Sequence, residues 1–414
     1  MQVTIIGGGV IGLSTAYYLN QAGIQVSVID RGNLSDGCSY GNAGMIVPSH
    51  FTPLAAPGVI RQGIKWLLDE TSPFHIKPRL NLELVRWLYL FARNASQENV
   101  TRSMTLLRDL NLLSKYLYQD LLRQPGFDFN LEEKGILMLF KEEHVREEEA
   151  RTAMMANKLG LETQILNADE LTRLDPSVRM DVLGGVHYPG DAHLIPARFM
   201  ENMKKHLQWA GVQFVPNTSI QTFRVEKRLV KAVITDQGKE ITVDRLVLAA
   251  GSWTAQLAKT LKVALPLQGG KGYSMTIPSL ARKPSIPGIL LEARVAITPM
   301  GNDLRVAGTL EIAGLQSPVN PKRVQGILKA VPAYYPEINV TAHDAPVWSG
   351  YRPCSPDGLP YIGKHGEYDN LFFNTGHAMM GLSLGPVSGL LMKELIQGEP
   401  SSLPLTLLHP NRFS

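Results

Sequence analysis

The sequence predicts an α/β plus α+β fold. One unit is built on a parallel sheet and assembled from separated segments; the other, inserted into it, stands on a mainly antiparallel sheet. Three observations predict this. The chain opens with an apolar run, a glycine-rich turn and a helical stretch. Strand signals of the same buried kind return at 245–250 and 371–373, each followed by a glycine-containing turn. Between them, residues 265–345 alternate polar and apolar side chains, the period of an antiparallel sheet with one wet face.

Each element follows from local chemistry. Val3 to Ile6 is continuously apolar, as a strand buried on both faces must be. A helix is expected from about Val10 to Ala22, stopped by Gly23, and then a strand from Gln25 to Ile29 ending at Asp30. Residues 32–58 are rich in Gly, Pro, Ser and Asn and read as a long functional loop. Residues 59–160 read as mainly helical, and a further helix is expected over about Pro196 to Ala210. The last helix follows the turn after Phe373 and runs to about Gln397. These signals place 1–58, 150–255 and 345–414 in a discontinuous nucleotide-binding domain, and 59–149 and 256–344 in the inserted substrate domain.

Composition narrows the function. A chain of 414 residues exceeds one core, and a net charge of +4 without a basic block argues against a nucleic-acid partner. Two cysteines, Cys38 and Cys354, form no disulfide framework and suit a reducing compartment. No apolar run approaches the roughly 18–20 residues of a membrane span, and no secretory leader is evident at Met1. A cytoplasmic location is expected, with peripheral contact at the inner membrane face left open. The stretch Leu82 to Phe91, with Arg86 and Arg93, is the candidate for that contact, although a helix packed on the substrate domain explains it more simply. No metal motif, P-loop or G-x-S-x-G is present.

Gly7-Gly8-Gly9-Val10-Ile11-Gly12 contains G-x-G-x-x-G between a strand and a helix. Gly7 permits the tight turn, Gly9 lets a pyrophosphate approach the backbone, and Gly12 lets the helix pack on the strand. The helix N-terminus supplies amide donors, and Asp30 at the end of the next strand suits a ribose hydroxyl. NAD and FAD both fit this motif. Two features favour FAD: the small polar loop Ser39, Tyr40, Gly41, Asn42, Ala43, Gly44, Met45, and the late segment Gly376, His377, Ala378, Met379, Met380, Gly381, Leu382, Ser383, whose helix start can stabilise charge on a reduced ring.

The opening IIGGGVIGLSTAYYLNQAG, the strand end VLAAGSW and the tail GYRPCSPDGLPYIG with NTGHAMMGLSLG resemble the amine-oxidising FAD enzymes, the family of D-amino acid oxidase, glycine oxidase and bacterial D-amino acid dehydrogenase. YGNAGMIVPSHFTPLAAPGVI, GYSMTI and VAITPMGNDLRVAGTLEIAG point to the D-amino acid dehydrogenase branch. The resemblance implies a Rossmann-like domain with non-covalent FAD. It implies oxidation of a D-amino acid or cyclic imino acid to the imino acid by hydride transfer, with electrons passed to a quinone or other acceptor. It extends the cofactor set to Arg31, Ile220, Ala250, Gly251 and Trp253, and implies that Arg352 in G-x-R-P clamps the substrate carboxylate. Tyr273 and His50 join Arg352 as candidate catalytic residues: Tyr273 as a carboxylate donor, His50 on the Pro-rich loop over the flavin. His377 reads as a support for the ring and His193 as a structural histidine. Met379 stands where glycine oxidase has a second arginine and reads either as an apolar pocket wall or as core. Apolar closure at Met379 and the loop 48–57 favours D-proline, a hydroxylated D-proline or D-alanine. The rivals are a glycine- or sarcosine-type oxidase using oxygen and a non-catalytic flavin-binding electron-transfer subunit.

Overall fold

Strands buried on both faces must lie at the centre of a sheet, and Val3, Ile5, Leu246, Val247 and Phe373 are fully buried. The computed structural model, which describes residues 1–66, 72–77, 79 and 81–414, places them in one six-stranded sheet. Its order is Tyr361–Lys364, Leu371–Thr375, Arg245–Leu248, Gln2–Ile6, Gln25–Ile29, Gln213–Val215. All neighbours are parallel except the edge pair Tyr361–Lys364 with Leu371–Thr375. Helix Val10–Gln21 covers this sheet together with the last helix, Gly385–Gln397. The two helices meet at a glycine: a Cβ on Gly389 would stand 2.5 Å from the Ser14 backbone.

The second sheet has nine strands, in the order Trp348–Cys354, Gln268–Ile277, Asp303–Ile312, Val295–Met300, Gly288–Leu290, Ile136–Phe140, Gly184–Tyr188, Gln164–Asn167, with Phe74–Ile76 paired beside Asp303–Ile312. It is mainly antiparallel, with two parallel pairs. A small three-stranded antiparallel sheet spans Ile220–Glu226, Leu229–Thr235 and Glu240–Thr242.

Three findings differ from the sequence reading. Gln164–Asn167 and Gly184–Tyr188, grouped above with the nucleotide-binding segments, belong to the nine-stranded sheet, because Gly184–Tyr188 pairs on both edges there. Trp348–Cys354 joins that sheet as well, so the chain crosses back only near Tyr361. The antiparallel sheet also has no broad wet face at its centre. Gln268–Ile277 is buried at eight of ten positions, because helix Pro321–Tyr334 covers one face and the loop after Ser39 covers the other. That helix follows from Val324, Ile327, Leu328 and Val331, which the alternation in the flanking residues concealed. Residues 67–71, 78 and 80, within the span read as mainly helical, lie outside the described residues.

Candidate functional site: a glycine cradle and a half-buried arginine

At the first strand end the glycines do what their positions require. Gly7 has φ +112, and a Cβ on Gly12 would stand 1.8 Å from the Gly7 carbonyl oxygen. Gly9 caps helix Val10–Gln21 without a side chain, and the Ser39 hydroxyl accepts from the Val10 N–H at 2.9 Å. The Asp30 carboxylate accepts from the Gly8 and Gly32 N–H groups at 2.6 and 2.7 Å. Asp30 therefore orders the glycine turn from the end of the second strand. Its own backbone bonds Val215 and Thr218, which brings the start of Ile220–Glu226 alongside. The Arg31 guanidinium lies 3.6 Å from the Trp253 ring centroid, and Trp253 follows Ala250 and Gly251, the latter at φ +54. The dinucleotide's acceptor-rich phosphates fit a helix N-terminus with no acidic residue in its first turn and a glycine cradle that any Cβ would fill.

The other end of the site is built from two distant segments. Gly44 has φ +83 and lies so close to the Leu194 carbonyl that a Cβ would stand 2.4 Å away. Met45 pairs with His193 across a two-stranded ladder. The Val47 N–H donates to the Ser383 hydroxyl at 3.0 Å, tying the loop after Ser39 to the turn Gly376–Ser383. Within that turn the Met380 N–H bonds the His377 carbonyl at 2.8 Å, and the Leu382 carbonyl accepts from the Tyr118 hydroxyl at 2.6 Å. The helix that this segment is expected to open starts just beyond Ser383. Ala378–Met380 is a 3₁₀ turn with Ala378 at φ +47, and the helix begins only at Gly385. His377 is buried against the Ser388 hydroxyl at 2.8 Å, and burial drives its imidazole down to about 3, so it stays neutral.

Arg352 stands on the sheet face that looks at this loop. In the pairing of Trp348–Cys354 with Gln268–Ile277, Arg352 lies opposite Gly270, and Gly272 and Ser274 share its face. Its guanidinium rests on Gly272 and donates to the Thr309 carbonyl, which a bulge with Thr309 at φ +68 exposes. Among the described residues no carboxylate pairs with it; the electrostatic neighbours that act on it are the thiols of Cys354 and Cys38, and burial lowers its proton affinity. A half-buried cation without an anion is incompletely compensated, and it attracts one.

Tyr273 differs from the expectation. It occupies the opposite pleat from Arg352, paired with Ser349. Its hydroxyl donates to Glu311 at 2.8 Å and accepts from the Asn320 N–H at 3.1 Å, and it belongs to the same buried cluster as Val324 and Ile327. It braces the helix side of the sheet. His50 is half-buried, its Nδ1 3.2 Å from the Ser49 hydroxyl, and burial together with Arg294 holds it neutral down to about 4. His193 is fully buried, lacks a side-chain hydrogen bond among the described residues, and is neutral down to about 4. Met379 is 41% exposed, so it is not core. Helix Leu82–Asn94 buries Leu84, Trp87 and Phe91 beside Ala55, Cys354 and Ala378.

Sequence reasoning missed Asp191, Ser49, Ser274 and Arg305. Asp191 is 1% exposed and accepts both the Ser49 N–H at 3.0 Å and the Ser49 hydroxyl at 2.5 Å, which pins the loop that carries His50. When Asp191 is ionised the Ser49 hydroxyl gives it its proton, and the contact with His50 is then one in which Nδ1–H donates and Nε2 is left as the acceptor. The only local signal for Arg305 was a charge inside the apolar strand Leu304-Arg305-Val306.

A parallel sheet with a glycine cradle and an acid at the end of its second strand, together with an antiparallel sheet that carries an arginine without a carboxylate partner among the described residues, defines a two-domain dinucleotide-dependent oxidoreductase. Residues 2–395 match the family model described as FAD dependent oxidoreductase, and the chain belongs to that family. It is 31% identical to the D-amino acid dehydrogenase of Bradyrhizobium diazoefficiens over 424 residues, covering 100% of this chain and 99% of the relative. It is also 31% identical to the D-amino acid dehydrogenase of Helicobacter pylori over 397 residues, covering 96% and 95%. The solved glycine oxidase from Bacillus cereus shares the fold with a TM-score of 0.74 at 24% identity, over 98% of this chain and 97% of that one. The protein is an FAD-dependent oxidoreductase. No helix among the described residues is long and apolar enough to cross a membrane.

Proposed function

We propose that the protein oxidises a D-amino acid, with D-proline, a hydroxylated D-proline or D-alanine as preferred substrates, to the imino acid. The observation that carries this reading is Arg352, a half-buried guanidinium with no carboxylate partner among the described residues. Its planar fork offers two parallel donors to a substrate carboxylate and so orients the Cα–H. FAD supplies the hydride acceptor. The chain's share of the work is to hold the carboxylate, exclude water and favour the neutral amine, the form that can release hydride. His50, held neutral by burial, is assigned to accept a hydrogen bond from the amine, which sheds its extra proton to solvent on binding. A primary amine then yields a 2-oxo acid and ammonia on hydrolysis, whereas a proline-type substrate yields a cyclic imine. An unpaired carboxylate clamp argues against a purely electron-carrying subunit, which has no use for one.

Non-covalent FAD fits the two thiols. Cys354 is fully buried and burial pushes its thiol up to about 12, while Cys38 is raised by burial and accepts from the Tyr351 N–H at 3.3 Å. We assign a quinone or similar carrier as electron acceptor, and any peripheral membrane contact to helix Leu82–Asn94, where Leu82, Val85 and Tyr89 are exposed beside Arg86 and Arg93. The experiment is an anaerobic screen of D-amino acids that follows bleaching of the flavin absorbance, then turnover in air with peroxide measured. Bleaching by D-proline or D-alanine with little peroxide supports the reading. Stoichiometric peroxide identifies an oxidase, and no bleaching by any carboxylated amine removes the amino acid assignment.

A further inference from the structure

Three consecutive backbone carbonyls of the cofactor loop are held by side chains of the antiparallel sheet. The Arg305 Nη1 donates to the Tyr40 carbonyl at 3.0 Å and to the Asn42 carbonyl at 2.6 Å. The Ser274 hydroxyl donates to the Gly41 carbonyl at 2.9 Å. Arg305 is itself steered by its Nε, which donates to the Thr276 hydroxyl at 2.9 Å. The Trp348 ring lies flat on Gly41, where a Cβ would meet it at 2.1 Å. From the other side, Ser39 anchors the same loop to the first turn of helix Val10–Gln21.

The planarity of the peptide gives this arrangement a direction. In a trans peptide the N–H points opposite to the carbonyl of the preceding residue. With the carbonyls of 40, 41 and 42 turned to the sheet, the N–H groups of 41, 42 and 43 turn away from it. The Asn42 N–H bonds the Ser39 carbonyl at 3.3 Å. Among the described residues, the N–H groups of Gly41 and Ala43 have no acceptor. They are two donors on the side of the loop away from the sheet, carried by a loop whose ends are fixed.

We infer that Arg305 and Ser274 are positioning residues for FAD: by holding the Tyr40, Gly41 and Asn42 carbonyls they aim the Gly41 and Ala43 amides at an acceptor edge of the cofactor. Neither side chain touches the cofactor. They act through the loop and make cofactor affinity and electronics depend on the substrate-side sheet. Burial lowers Arg305 to about 10, which still leaves it a cation, so its two carbonyl contacts are charge-assisted. This role rests on the FAD cofactor and not on which amine is oxidised.

The test titrates apoprotein with FAD and records the dissociation constant, the visible spectrum and the midpoint potential of Arg305→Met, Ser274→Ala and Ser274→Thr. Arg305→Met is expected to weaken FAD binding about tenfold or more, since both charge-assisted contacts go. Ser274→Ala is expected to shift affinity, spectrum and potential in the same direction by less, and Ser274→Thr, which restores a hydroxyl, to return them towards wild type. A loss of thermal stability with affinity, spectrum and potential all unchanged would show that these contacts only join the sheets, and would overturn the inference. If Arg305→Met does not fold, the Ser274 pair decides in the same way.

Discussion

A Cβ built on Gly272 would stand 2.1 Å from Nη1 of Arg352, so the guanidinium rests directly on a glycine backbone. The flat seat sets how deep the fork lies in the sheet face. Gly272→Ala therefore moves Arg352 without changing its charge. The expected result is a fall in kcat/KM of about tenfold, or about 1.4 kcal/mol, with FAD content and spectrum kept. Unchanged kinetics on every substrate would mean that the seat does not set the position of the clamp.

Arg352 itself is expected to matter far more. Arg352→Ala should cost about 2–5 kcal/mol in kcat/KM on a carboxylated substrate, the range for removing one member of a buried charge pair. Arg352→Lys keeps the charge and loses the fork, so partial activity should remain. Steady-state kinetics with D-proline and D-alanine measure both. Near-wild-type activity of the alanine variant would point to an amine substrate without a carboxylate.

Asp30 accepts two backbone N–H groups, so its loss disturbs the glycine turn as well as the ribose contact. Asp30→Ala should weaken FAD binding by about 1.5–3 kcal/mol, the scale of hydrogen bonds to a charged group. Fluorescence titration of the apoprotein gives the number. If affinity does not change, the acid does not reach the cofactor.

Asp191 links stability to pH. Two donors from Ser49 favour the carboxylate, but burial outweighs them and raises the group from 3.8 to about 7. Between those values the folded protein keeps a proton that the unfolded chain has lost. This group's contribution to stability is therefore lost as pH rises from about 4 to about 7, by at most about 1.4 kcal/mol per unit. Asp191→Asn removes that slope. Urea midpoints at pH 5 and pH 7 should show the variant gaining on wild type at the higher pH; an equal difference at both would mean that Asp191 does not titrate in this window.

Much of the nucleotide-binding half was legible in contiguous residues. Gly7 and Gly23 take positive φ, the first helix ends at Gln21, and the strands at 2–6, 25–29, 245–248 and 371–375 fall where apolar runs were read. These signals are local: a glycine's backbone freedom and the period of a buried face need no knowledge of the rest of the chain. Arg352 was singled out differently, by the resemblance of its G-x-R-P segment to the family's carboxylate-binding arginine.

What only the tertiary structure decided is which side chains share a face. Tyr273 and Arg352 look like partners along the chain, yet the register of two strands puts them on opposite pleats, one under a helix and one over the cofactor loop. The bulge at Thr309, which turns a carbonyl towards Arg352, leaves no mark in the residue types around it. Arg305 and Ser274 reach Tyr40, Gly41 and Asn42 across more than 200 positions, and Asp191 reaches Ser49 across 142. Sequence periodicity records whether a residue is buried. Which distant group it is buried against depends on strand order and register, and those are settled only when the two sheets close on each other.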